Sequence, residues 1–405
     1  MRILQVNKYL YRRGGAEAYM LDIAGLLVDS GHDVALFGMS HPANPALPYQ
    51  RYFPDTVELE PPPTGVSNKA RAVGRMFWSS SAQRGIRSVI EEFKPDVIHC
   101  HNIYHHLSPS ILRSAAAAGV PVVMTLHDYK LACPTYQMLD NGRVCDACLP
   151  RHFSQAAIRG CRNNSRAQSG LMALEVAVHT WTKAYGSIAC FLCPSQFLAD
   201  TMRRAKVYPD RLKVLPNFCA SAEIAAKDAP GGPVVFAGRL SPEKGVDTLI
   251  EAMKDVPGVE CIIAGEGPEE ARLRAAAGRA KSPVRFVGRL GRDDTLALLR
   301  SASCTAVPSR WNENQPIVIL ESFACAVPVV CTTLGGLPDL VQEDQTGLMV
   351  PPNSPAALAV AINRLTSDPV AAYAMGRRAR RYVEDHHNPA DHIEALTSVY
   401  RQVAA

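Results

Sequence analysis

The sequence predicts an α/β protein built from two doubly wound, parallel-sheet domains. Three observations carry that expectation. The chain has 405 residues, more than a single hydrophobic core ordinarily serves. In both halves short apolar runs alternate with stretches of helical spacing, the pattern of a parallel sheet wrapped by helices. Between the halves, "LPNFCASAEIAAKDAPGGP" loses periodicity and gathers Ala, Pro and Gly. Residues 1–218 therefore read as one domain, 219–232 as a linker and 233–382 as the second domain.

Each element follows in order. "RILQVN" is the first strand, Glu17 to Ser30 has helical spacing and stops at Gly31, and "HDVALFGM" is the next strand. "PPPTGVSNKARAVG" reads as a mobile loop. "DVIHCHN", "PVVMTLHD" and "SIACFLCPS" complete the first set. The second set runs "VVFAGRL", "VECIIAGEG", "VRFVGRL", "CTAVPS", "PVVCTT" and "GLMVPP". Ligands of open α/β sheets bind beyond the carboxyl ends of the strands, so the two domains are expected to face each other across a cleft.

Composition narrows the class. Apolar residues make up 47% and charged residues 20%, as in globular chains. A formal charge of +5 is too small and dispersed to argue for nucleic acid, and fits anionic small molecules or a transient visit to a lipid surface. Met1 leads directly into a strand rather than a leader-like apolar core. No run of about 18 apolar residues suggests a membrane span. The expected setting is the cytoplasm, including the inner face of the membrane, with the twelve cysteines mostly as thiols.

Chemistry concentrates at strand ends. In "FAGRLSPEKGVDTLIEAM" a strand ends at Ala237, Gly238 lets the backbone turn, and Arg239 and Lys244 flank the loop before a helix. A guanidinium fork and a point charge near a helix N-terminus suit a diphosphate, although two solvated surface cations would look the same. In "WNENQPIVILES" a helix is expected to start near Gln315 or Pro316, where a missing N–H costs nothing. Glu313 precedes that helix and Glu321 lies inside it. Two carboxylates so placed would hold hydroxyls at opposite ends of one elongated ligand, with its phosphates at the helix start. The plainer reading is an acid countering the helix dipole plus an ordinary polar position.

In the first half, "YRRGGAEAYM" places Gly14-Gly15 at the opening of a helix, without the G-x-G-x-x-G of a dinucleotide fold. Arg12 and Arg13 would meet an anionic acceptor, or simply lie exposed. His127 ends a strand beside Asp128. His101 and Asn102 also stand at a strand end and are candidates for an acceptor pocket, whereas His99, His105 and His106 read as packing or surface. Cys133, Cys145, Cys148 and Cys161, with one C-x-x-C pair in a polar insertion at about 133–161, fit a structural tetrahedral zinc site. A disulfide pair and unbound thiols remain open alternatives. Cys190 and Cys193 share the C-x-x-C spacing, but in a strand that offset points them to opposite faces.

Taken in order, "GRLSPEKGVDTLIEA", "IIAGEGP", "FVGRL", "VPSRWNENQPIVILESFACAVPVVCTTLGGLPDLV" and "TGLMVPP" resemble the retaining GT-B glycosyltransferases of family 4. The Glu, seven residues, Glu spacing of Glu313 and Glu321 is similar to that family's diagnostic motif, and the match runs over most of the C-terminal half. The resemblance implies two Rossmann-like domains, with a helix at 383–405 packing back on the first. It implies a UDP- or GDP-sugar donor and an acceptor hydroxyl on a glycan, a lipid-linked molecule or a small molecule. Arg239 and Lys244 would bind the donor diphosphate, Glu313 the sugar and Glu321 the ribose. Asn314, Gln315, Pro316, Ile317 and Val318 would surround the phosphates, and Gly265, Gly267, Gly288 and Arg289 the base and ribose. Gly14 and Gly15 would approach the donor phosphates, and His127 the reaction centre. Asp339 stands where many relatives carry a glutamate. A cysteine-bearing insertion occurs in some of these enzymes. No cofactor or catalytic metal is implied. Rival readings are a GT-B epimerase or phosphorylase and an inactive zinc-bearing interaction protein.

Overall fold

The computed structural model describes residues 1–56 and 65–405. The chain divides into two compact units. The first holds Met1–Gln137, Asp146–Leu215 and Ile393–Ala405, and the second holds Met138–Cys145 and Pro216–His392.

The first unit is built on β1 (Arg2–Val6), β2 (Asp33–Phe37), β3 (Val97–Cys100) and β4 (Val122–Thr125). A short antiparallel hairpin, β5 (Leu139–Asp140) and β6 (Arg143–Val144), interrupts the run and is grouped with the second unit. The sheet is completed by β7 (Ile188–Cys193) and β8 (Leu212–Val214), in the order β2-β1-β3-β4-β7-β8. All its pairings are parallel, with Ile3 opposite Val34 on one side and Val97 on the other. β3 and β4 are buried along their whole length, as expected of strands covered on both faces.

The second unit repeats the scheme with β9 (Val234–Ala237), β10 (Cys261–Ala264), β11 (Val284–Gly288), β12 (Cys304–Val307), β13 (Val329–Thr332) and β14 (Gly347–Val350). Their order is β11-β10-β9-β12-β13-β14, the arrangement of a doubly wound nucleotide-binding sheet. Period-two side-chain alternation divides its core in two. Val234, Phe236, Cys261, Ile263 and Ala306 pack on one face, and Val235, Ile262, Val307 and Val329 on the other.

Two segments differ from the sequence reading. Of the expected loop at 61–74, residues 61–64 lie outside the described residues, and Val66–Phe77 is a helix. Ala72 and Met76, four apart on one face, are buried there. The expected linker at 219–232 is packed into the second unit. Cys219 and Ile224 are buried in its core, and the Arg380 guanidinium donates to the carbonyls of Ile224 at 2.8 Å and Ser221 at 3.1 Å. The closing helix, Pro389–Ala404, carries Tyr400 fully buried in the first unit. Among the described residues no helix is long and apolar enough to cross a membrane.

Candidate functional site

In the second unit the strand order reverses between β9 and β12, and a doubly wound sheet opens a crevice at such a switch point. The loop leaving β9 carries Gly238 and Arg239, then a single tight turn, Pro242–Lys244. The loop leaving β12 carries Ser309 to Gln315, and the helix Ile317–Ala324 follows with Pro316 as its N-cap. The two loops meet backbone to backbone. Gly245 has φ +66°, and a Cβ there would stand 2.1 Å from the Pro308 carbonyl oxygen, so only glycine closes this joint.

That contact brings Lys244 and Glu313 together. Lys244 Nζ donates to Glu313 Oε1 at 2.7 Å, and Ser309 Oγ donates to the same oxygen at 2.5 Å. The Gly336 N–H donates to the Glu313 carbonyl at 2.7 Å. Glu313 is only 4% exposed. Burial alone would raise its pKa, but the Lys244 charge and the hydrogen bonds outweigh it and hold the carboxyl below its ordinary value. The ammonium also lies 5.4 Å from the centre of the Trp311 ring. The pair is thus a fixed, oriented dipole just ahead of a helix N-terminus, whose first N–H groups lack intrahelical partners.

The other donor-side candidates fall around this pair with different roles. Arg239 and Arg289 are exposed, and neither guanidinium has a partner among the described residues. Gly265 N–H donates to the Gly288 carbonyl at 2.7 Å, and Gly238 N–H to the Ala264 carbonyl at 3.0 Å, so these turns form one backbone platform. Gly267 also belongs to it, packed against the Leu240 carbonyl. Glu321 is half-buried, five residues into its helix. Its charge adds to burial in pushing the Cys219 and Cys325 thiols up to about 12. Asn314 is half-buried, and Ile317 and Val318 begin the helix. Gln315, expected near the phosphates, is buried against Asn217. Its side-chain oxygen accepts from Asn217 N–H and its carbonyl accepts from Asn217 Nδ2 at 3.0 Å.

The first unit has its own switch point, between β1 and β3. Asn7, just past β1, accepts the Asn102 N–H on Oδ1 at 3.0 Å, while the Lys8 N–H donates to the Asn102 carbonyl at 3.2 Å. Asn102 Oδ1 is buried with no hydrogen-bond partner among the described residues. Beside it, His101 Nδ1 lies 3.0 Å from His127 Nε2, and His101 Nε2 lies 2.8 Å from Gln5 Oε1. The Tyr19 ring meets His101 and His127 edge-on at 6.0 and 5.4 Å. Burial drives His127 down to about 3, so its ring is neutral near pH 7. Burial likewise raises Asp128, although the Lys130 N–H donates to its Oδ1 at 2.8 Å.

Arg12 is engaged with Asp22, and the Arg13 guanidinium sits 4.5 Å over the Tyr9 ring. Gly14 caps the helix Gly15–Asp29, and Glu17 is buried in its first turn. Lys8, Glu17, Gln5, Tyr19 and Tyr400 escaped the sequence reading. Lys8 had a signal, since it follows a strand end directly; the others required the tertiary fold.

Cys133, Cys145, Cys148 and Cys161 are the residues expected to hold a structural zinc ion. Among the described residues no group of three or more His, Cys, Asp or Glu side chains is arranged to hold a metal ion. None of Cys133, Cys145, Cys148 and Cys161 is in a disulfide, and Cys133 Sγ lies 3.4 Å from the Thr135 hydroxyl.

Comparison with known proteins agrees with the fold. The model of Glycosyltransferase Family 4 matches residues 13–221, and that of Glycosyl transferases group 1 matches 223–382. Glycogen synthase of Mycobacterium tuberculosis is 37% identical over 165 residues, covering 39% of this chain and 40% of that protein. The chain thus spans well under half the length of that relative. D-inositol 3-phosphate glycosyltransferase of Acidothermus cellulolyticus is 28% identical over 97% of this chain and 86% of its own. Among solved structures, sucrose-phosphate synthase from Thermosynechococcus elongatus superposes with a TM-score of 0.73 at 19% identity, covering 99% of this chain and 98% of its own. The Anabaena protein HepE, in complex with UDP and glucose, gives 0.70 at 21% identity, covering 99% of this chain and all of its own. With family models matching both halves in sequence, and two doubly wound sheets beneath them, the chain belongs to Glycosyltransferase Family 4 and has the GT-B fold.

Proposed function

We propose that this protein transfers a sugar from a UDP- or GDP-sugar to an acceptor hydroxyl with retention at the anomeric carbon. The observation that carries the reading is the pairing of half-buried Lys244 with buried Glu313 at the switch point of the second sheet. Arg239 and Lys244 bind the diphosphate and neutralise the charge that grows on it as it leaves. Glu313, held ionised, orients a sugar hydroxyl, and Glu321 holds the ribose. The helix start at Ile317 and Val318 offers N–H groups to the phosphates. HepE was solved with UDP and glucose, which supports a nucleotide-sugar donor.

In this mechanism the bond from the anomeric carbon to the phosphate oxygen breaks. The acceptor oxygen bonds to the same face, and its proton passes to the departing phosphate. No nucleophilic carboxylate is needed, and the two cations supply the charge a divalent ion would otherwise bring. The strand-end residues Asn102 and His127 of the first unit receive the acceptor, with His101 bonded behind His127; the acceptor is a glycan, a lipid-linked molecule or a small molecule.

Titration with UDP and with GDP, followed by a donor-sugar screen with product mapping, tests the proposal. Micromolar binding of one nucleotide, lost in Lys244→Ala, is expected. Failure of both nucleotides to bind the folded wild-type protein would reject it.

A further inference from the structure

We infer that Tyr400, on the C-terminal helix, is a positioning residue that fixes the tautomer of His127, leaving Nδ1 of that ring to accept a hydrogen bond from a substrate hydroxyl. The inference rests on the proposed transferase reading for the identity of that hydroxyl, but its proton arrangement stands on the first unit alone.

Six side chains form one line, buried except at its half-buried His127 end. It runs from His127 Nε2 to His101 Nδ1 at 3.0 Å, and from His101 Nε2 to Gln5 Oε1 at 2.8 Å. Gln5 Nε2 then donates to the Tyr400 hydroxyl at 3.3 Å, Tyr400 meets His99 Nδ1 at 2.6 Å, and His99 Nε2 meets Thr125 Oγ1 at 2.8 Å. Gln5, His99, His101, Thr125 and Tyr400 are each at most 1% exposed, so water does not break the sequence of bonds.

A neutral imidazole has one N–H and one lone pair, so each ring passes direction along the line. Gln5 sets that direction because its carboxamide accepts at one end and donates at the other. Its oxygen faces His101, so His101 carries its proton on Nε2 and presents a lone pair at Nδ1. His127 must then donate from Nε2. Its Nδ1 keeps a lone pair and has no partner among the described residues.

The far end is satisfied by the same polarity. Tyr400 accepts from Gln5 and gives its own proton to His99 Nδ1, which makes His99 donate from Nε2 to Thr125. The Thr125 hydroxyl keeps its proton for Tyr19, its other hydrogen-bond partner. Burial lowers both His101 and His127, so neither ring carries a second proton that would blur the pattern.

Tyr400 is therefore the one group that both receives the Gln5 amide and supplies the proton for His99. Without its hydroxyl the two orientations of Gln5 differ by little, because each leaves one polar atom unmatched. His127 then presents a lone pair in some molecules and an N–H in others.

Nitrogen-15 spectra of histidine-labelled protein test this directly, with His127 assigned by loss of its signals in His127→Gln. Wild type should show a single tautomer, protonated on Nε2. Tyr400→Phe should give both tautomers in about equal amounts. Thr125→Val, which keeps the shape, should produce the same mixing if Tyr400→Phe does not fold. A wild-type His127 protonated on Nδ1, or one unmoved by a folded Tyr400→Phe, would overturn the assignment. UDP and GDP affinity is measured in parallel. Absent nucleotide binding with the expected tautomers removes the transferase reading and leaves the relay. Unchanged tautomers with nucleotide binding intact do the reverse.

Discussion

The ammonium of Lys244 lies 2.7 Å from the carboxylate of Glu313, across 69 residues of chain. The two residues, assigned from sequence to different parts of one ligand, are each other's partner. Removing either side of the pair should therefore have unequal effects. Lys244→Met leaves a buried carboxylate with Ser309 as its main remaining donor. It should cost roughly 1–3 kcal/mol of stability and abolish nucleotide binding. Glu313→Gln keeps an acceptor beside Lys244, so nucleotide affinity should change by only about a few fold, while transfer falls by about 10². Denaturant unfolding and calorimetric titration with UDP and GDP separate the two. Equal loss of nucleotide affinity in both variants would contradict this division of roles.

Arg239 supplies the complementary case. It is exposed and unpartnered among the described residues, so Arg239→Ala should leave unfolding within about 0.5 kcal/mol of wild type. Turnover should nonetheless drop by about 10²–10³, because the missing cation faces charge that develops on the leaving diphosphate. Steady-state kinetics beside a melting curve make the comparison. A variant with wild-type turnover would remove Arg239 from the site.

Gly265 carries φ +144°, and a Cβ on it would stand 1.8 Å from the Gly238 carbonyl oxygen. Gly265→Ala should therefore push the turns after β9 and β10 apart, destabilising the protein by about 2 kcal/mol or more and weakening nucleotide binding. Gly278→Ala, where a Cβ meets nothing within 4 Å, is the matched control and should be neutral or slightly stabilising. Similar melting temperatures for the two variants would show that the platform tolerates the side chain.

Lys130 and Glu175 form a second buried pair, at 2.9 Å, with His105 on the other carboxylate oxygen at 3.0 Å. Burial by itself would raise Glu175, but Lys130 and His105 outweigh it and hold the carboxyl at about 2, against an ordinary 4.5. A depressed carboxyl adds stability above its unfolded pKa and loses it as the pH falls through the folded value. The window here runs from about pH 4.5 down to about 2, and the contribution is about 3 kcal/mol. Unfolding measured between pH 6 and pH 3 should fall less steeply in Glu175→Gln than in wild type, from a lower start. Parallel curves would show that this carboxyl titrates alike in both states.

Much of the donor side was legible because local chemistry determines it. The strand ends at Ala237, as the Gly238 break suggested. The helix after Glu313 begins at Ile317, one or two residues beyond the expected start, because Pro316 serves as its N-cap. The strand-end cluster of the first unit was less legible. Gln5 and Tyr400 are 395 residues apart, and no periodicity links a strand residue to a helix that distant. Gln315 sits within the motif, yet its carboxamide is committed to Asn217, a partner that motif order does not reveal. The proline-rich start of 61–74 concealed the Ala72–Met76 face of a helix.

Arg380 ties the carbonyls of Ser221 and Ile224 to the end of the Ile317–Ala324 helix through Ala324. A graft that exchanges halves between relatives should therefore be cut at Leu215/Pro216 rather than in the Ala/Pro/Gly-rich stretch that looks dispensable. The transplanted first half must also bring its own final thirteen residues, Ile393–Ala405, or arrive with a hole where Tyr400 belongs.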